Sequence, residues 1–88
     1  MPHMLARLRD VPYADIERIL RADAPQHAEQ GLRLEHLWQN ADDPDEVLFL
    51  FRVDDLGVAK RFIDRAHGEA LDKVADARLP VMTFLEGE

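Results

Sequence analysis

The sequence predicts an α+β fold in the order β-α-β-β-α-β, an antiparallel sheet with two helices on one face. Three observations lead there. Short runs show the period-two patterning of strands, while two longer runs carry apolar residues on a helical stripe. Turn-forming residues punctuate the runs. The chain has 88 residues, 47% apolar and 33% charged, with no repeat, linker or low-complexity tract. That is enough for a core and points to one domain over residues 1–88.

Residues 4–9 alternate with period two and read as the first strand. Asp10-Val11-Pro12 turns the chain, with proline suited to a first helical turn. Tyr13, Ile16, Ile19 and Leu20 then share a stripe, while Asp15, Glu17, Arg18 and Arg21 lie off it. Pro25 is expected to make this helix falter, with Asp23 capping a short second turn through Gln30 and Gly31 stopping it. Leu32 to Gln39 reads as the second strand and Val47 to Val53 as the third. The polar tract Asn40–Glu46 joins them as a hairpin. Asp54 and Asp55 can cap a second helix that buries Leu56, Ala59, Phe62, Ile63 and Ala66. Gly68 is expected to break or kink it before a last stretch with Ala70, Leu71 and Val74. After Pro80, Val81 to Leu85 makes the fourth strand. The order is the split-βαβ, ferredoxin-like one.

Opposing Asn40 to Val47 sets a hairpin register in which Trp38 faces Phe49, His36 faces Phe51 and Leu34 faces Val53. The other side then pairs Glu35 with Arg52 and Arg33 with Asp54, each pair worth roughly 0.2–1 kcal/mol. Both helices should cover the Trp38/Phe49/Phe51 side, joined by Met4, Ala6 and Leu8. The uncovered side has an apolar centre of Leu5, Leu37, Leu48 and Leu50 within a rim of Arg7, Arg33, Glu35 and Arg52. An apolar centre inside a polar rim is how an interface is built, so a homodimer formed face to face is expected.

Composition narrows the function classes. Lys plus Arg count 11 against 18 Asp plus Glu, a formal charge of −7, which argues against nucleic acid and anionic membranes as partners. Phe49 and Phe51 on the helix side argue the same against an RNA-reading sheet. No cysteine means no disulfide, thiolate nucleophile or iron–sulfur cluster. No apolar run is long enough to span a bilayer, and the first residues lack a signal-peptide core, so a cytoplasmic location is expected.

The tract from Gln39 through Val47, Gln-Asn-Ala-Asp-Asp-Pro-Asp-Glu-Val, followed by Leu50-Phe51-Arg52-Val53-Asp54-Asp55-Leu56, resembles a group of small bacterial proteins with the signature "RNADDPNEV…LFEWDDL". Some of that group carry the name cyclase. They belong with the dimeric α+β barrels, beside antibiotic-biosynthesis monooxygenases and muconolactone isomerases. The likeness runs from about Tyr13 to Leu85 and takes in Ala24-Pro25 and Pro80. It departs at Gln39 (Arg in the group), Arg52 (Glu), Asp23 (His) and His27 (Arg). The resemblance implies a homodimeric barrel around a small aromatic or polyketide-like compound, with cyclase, isomerase or monooxygenase chemistry and no cofactor.

His36 is the candidate catalytic residue, a titratable ring in mid-strand beside Trp38. The competing role is a packed histidine with one nitrogen hydrogen-bonded; a bulge in its strand would turn it to the uncovered face. Arg7, Glu35, Gln39 and Arg52 are candidates for lining a dimer lumen and orienting a polar group, with Leu37, Leu48 and Leu50 gripping an apolar body. The same residues also suit a salt-bridged interface with no ligand. The acidic run Asp42–Glu46 lacks calcium-loop spacing and reads as a solvated turn. His3, His27, His36 and His67 show no metal-ligand spacing. Some barrels of the superfamily bind haem through a histidine on the second helix, roughly where His67 falls, but no asparagine on the first strand completes that likeness. Whether the chain is an enzyme therefore stays open. It is either a small-molecule barrel or a non-catalytic dimeric module with a filled interface.

Overall fold

The computed structural model describes residues 1–87. Its elements are β1 (His3–Arg9), α1 (Tyr13–Glu29), β2 (Leu32–Asn40), β3 (Asp43–Val53), α2 (Leu56–Lys73) and β4 (Val81–Leu85). The sheet order is β2-β3-β1-β4, with every neighbouring pair antiparallel. Each helix thus crosses over a strand supplied by the other β-α-β unit, and both land on the same face. This is the α+β, ferredoxin-like arrangement expected from the sequence.

Both helices are longer than their glycine and proline suggest. Helix α1 runs through Pro25, an exposed position where water can take up the hydrogen bond that proline removes. It ends at Gly31, whose φ of 73° closes the turn as the Gly31 N–H donates to the Ala28 carbonyl at 3.0 Å. Helix α2 starts at an Asp55 cap, whose carboxylate accepts from the Val58 N–H at 3.1 Å. It continues through Gly68, which is exposed with open space around it, so that the glycine costs about 1 kcal/mol and no kink. Val74 lies just past the helix end and is exposed.

The hairpin tract is also more regular than expected. Only Ala41 and Asp42 lie between the strands, and the Asn40 side chain accepts from the Asp42 N–H at 2.9 Å. All of the acidic run past Asp42 is therefore strand rather than solvated turn. Asp43 accepts from Arg9 at 2.6 Å, and Glu46 is buried.

The hairpin register differs from the expected one. Leu32 opposes Val53, Arg33 opposes Arg52 and Leu34 opposes Phe51; past an unpaired Glu35, His36 opposes Leu50, Leu37 opposes Phe49 and Trp38 opposes Leu48. Neither expected charge pair forms. Leu32, Leu34 and Leu37 cannot share one face of a regular strand, because Leu37 lies an odd number of residues from the other two. One bulged residue brings all three to the helix side. Burying a leucine is worth about 1.5–3 kcal/mol, more than an exposed cross-strand charge pair at about 0.2–1 kcal/mol. Leu37 accordingly packs against the core, and Gln39, opposite the buried Val47, also leaves the uncovered face. His36 and Trp38 move the other way. Their rings stack at 4.8 Å on the uncovered face, which is thus not free of aromatics as the argument against RNA required.

The core lies between this sheet and the helices. Met4, Ala6, Val47, Phe49, Phe51 and Val53 meet Ile16 and Leu20 of α1 and Ala59 and Phe62 of α2, all of them buried. The alternation of β1 and β3 puts Leu5, Leu48 and Leu50 on the opposite side.

Candidate functional site

The helix-covered side is not completely filled. A cavity of about 530 Å³ opens between the sheet and the two helices. Ligand sites commonly measure about 300–1,000 Å³. Its floor is apolar, from Met4, Leu32, Phe49 and Phe51, and its walls include Ile16 and Leu20 from α1 with Phe62, Ile63 and Ala66 from α2. Helical spacing explains the walls, since these positions recur every three or four residues and face the sheet. The exposed Gln26, Glu69, Lys73 and Arg78 also border it.

Two imidazoles reach the cavity, His27 from α1 and His67 from α2. His27 is half-buried, and its ring stands edge-on to Phe51 at 5.3 Å and to Phe62 at 6.0 Å. Burial pushes its pKa below the ordinary value, against the pull of Asp23 one turn earlier. His67 is lowered in the same way, with Asp64 opposing. Both are therefore neutral imidazoles near pH 7, each with one donor and one acceptor nitrogen. From the sequence, these histidines are weighed as metal ligands and as departures or partial matches to a family pattern, not as parts of one site. Their stripe positions, with Leu20, Phe62 and Ile63, were the signal that could have joined them to one site.

The residues singled out from the sequence divide between the two sides. Leu37 and Gln39 lie on the helix side, where the Gln39 amide donates to the Pro44 carbonyl at 2.9 Å. Arg7, Leu48, Leu50, Arg52 and His36 lie on the uncovered face. Glu35 bulges out and meets the His3 ring at 3.0 Å instead of Arg52. Arg7 donates to Glu46 at 3.3 Å, and Asn40 donates to the same carboxylate at 3.0 Å. Those bonds hold the Glu46 pKa below the usual carboxylate range, the Asn40 bond most of all. Between these groups lies an apolar surface that includes Trp38 at 45% exposure, Val81 at 67% and Leu85 at 42%. Among the described residues no group of three or more metal-ligating side chains converges, and no helix is long and apolar enough to cross a membrane.

No model of a known protein family matches the chain, and no curated protein matches it. Solved structures do share its fold. A Deinococcus radiodurans protein assigned as an antibiotic biosynthesis monooxygenase is 17% identical with a TM-score of 0.64, over 100% of this chain and 93% of its own. A Nitrosomonas europaea protein with the same assignment is 18% identical with a TM-score of 0.62, over 99% and 98%. A NIPSNAP domain protein from Burkholderia xenovorans is 15% identical with a TM-score of 0.60, over 100% and 95%. At these identities the likeness is one of fold, an α+β sheet-and-helix layer spanning nearly the whole of each chain.

Proposed function

We propose that this protein is a small-molecule-binding homodimer of the dimeric α+β barrel kind, acting in the bacterial cytoplasm on a small aromatic compound. The observation that carries this reading is the helix-side cavity, apolar over most of its lining and served by two neutral imidazoles. Monooxygenase-type chemistry without a resident cofactor is the activity favoured, because two of the structures similar to the chain are assigned that activity. The ligand site is thus assigned to the helix side rather than to a lumen between two sheets. The uncovered face supplies the contact with a second copy. Leu48 and Leu50 form its apolar centre, and Arg7, Glu35, Arg52 and His36 lie around them as pairing and orienting groups.

Naphthalene tests the cavity directly. Calorimetric titration of the wild-type protein should show saturable binding, and Ala66→Trp, which fills the space from α2, should abolish it. Unchanged naphthalene binding in Ala66→Trp, with the variant folded by circular dichroism, would remove the cavity from the proposal.

A further inference from the structure

His27 makes more of the cavity than an apolar slot. Its ring is fixed between the edges of Phe51 and Phe62. Yet among the described residues the only imidazole with a hydrogen-bond partner is that of His3. The polar edge of His27 is not sealed away either, since Arg52 Nε is the one buried side-chain polar atom left unpartnered among the described residues. A half-buried imidazole that lines a cavity and has no protein partner leaves a donor and an acceptor for whatever occupies that cavity.

Resting on the reading of the cavity as a small-molecule site, we propose that His27 is its specificity-determining residue and hydrogen-bonds a hydroxyl group on an aromatic ligand. The ligand's ring would lie on the apolar floor while its hydroxyl meets the imidazole. A hydroxyl both donates and accepts, so it suits whichever nitrogen faces it. A carboxylate suits the place less well. Burial disfavours the charged imidazole that would pair with it, and Asp23 lies one turn away on the same helix and lines the same cavity. Of the bordering cations, Lys73 is exposed to water and Arg78 is paired with Asp10. The cavity therefore selects a hydroxylated ring over both the parent hydrocarbon and the corresponding acid.

The probes are 2-naphthol, naphthalene and 2-naphthoate, titrated calorimetrically into wild-type, His27→Phe and His27→Gln proteins. Phenylalanine keeps the aromatic edge contacts without a polar atom, and glutamine restores a donor and an acceptor. In the wild type, 2-naphthol should bind about twofold to tenfold more tightly than naphthalene, the size of one net hydrogen bond, and 2-naphthoate most weakly. His27→Phe should erase the naphthol preference while keeping naphthalene affinity, and His27→Gln should retain part of it. Equal wild-type affinities for naphthol and naphthalene, or a preference that survives in His27→Phe, would overturn the role of His27 and leave the cavity reading standing. Failure of the wild type to bind naphthalene or naphthol at all would overturn the cavity reading itself, and the His27 inference with it.

Discussion

Leu50→Ala distinguishes the two faces of the sheet most directly. Leu50 opposes Leu5 on one side and His36 on the other, and it is partly buried in the single chain. Truncating a fully buried leucine costs about 2–5 kcal/mol. Most of the side chain is already covered within one copy, so the part left to the interface is about a third at most, roughly 0.7–1.7 kcal/mol per copy. A two-fold interface contains the site twice, giving roughly 1.4–3.4 kcal/mol and a dimer dissociation constant weakened about 10-fold to 300-fold. Sedimentation velocity over a concentration series measures this. Leu37→Ala is the paired control, because Leu37 packs on the helix side against the core. It should lower thermal stability and leave the dissociation constant within about threefold. A wild-type chain that stays monomeric, or a Leu37→Ala effect on association as large as that of Leu50→Ala, would refute the assignment of faces.

Gly31→Ala should destabilise the fold by about 1–2 kcal/mol in urea titration, because Gly31 has a φ of 73° and an added Cβ would sit 3.0 Å from the Asp54 Cβ. Stability should also fall with acid in two stages. His27 has a folded pKa below its ordinary 6.5, and the rings it meets from β3 and α2, Phe51 and Phe62, carry no charge to offset that burial. The unfolded chain therefore takes up the proton more readily, so this contribution is full above about pH 6.5 and is lost as pH falls through the folded pKa. His67 shifts in the same direction, so His27→Phe should reduce the first stage without abolishing it. Asp43 and Glu46, lowered from 3.8 and 4.5, add stability that is present above those values and lost below them as their bonds to Arg9 and Asn40 fail. Glu46→Gln should flatten the second stage, and a urea-midpoint profile steeper above pH 7 than below it would contradict the sign of both.

The fold was legible because each element is marked locally. The Asp55 cap, the Gly31 stop and the alternation of residues 4–9 all act over a few residues and need no knowledge of tertiary contacts. The hairpin register was not legible in the same way. Two charge pairs, Glu35 with Arg52 and Arg33 with Asp54, supported a regular ladder, whereas the apolar positions 32, 34 and 37 demanded a bulge. Charge pairs on a solvated face are weak evidence for register, since each contributes little beside a buried leucine. The site was hidden for a different reason. His27 and His67 are 40 residues apart and converge only once both helices lie on one sheet face.

The bulge at Glu35 decides which β2 side chains face the core and which face outward. Without it, the odd spacing would leave Leu37 on the uncovered face and set His36 and Trp38 under the helices, in the layer that holds the cavity floor. With it, Leu37 opposes Phe49 and packs against the core, while the stacked His36 and Trp38 face outward beside Leu48 and Leu50. The same bulge frees Glu35 from the ladder, and its carboxylate reaches His3 on β1, across the intervening strand β3. That leaves Arg33 and Arg52 opposed on the uncovered face with no carboxylate partner among the described residues. Two opposed arginines destabilise a strand pair unless an anionic group meets them. In a chain with a formal charge of −7, a second copy supplies carboxylates in abundance, so the unmatched arginines and the exposed apolar residues favour the same occupant of that face.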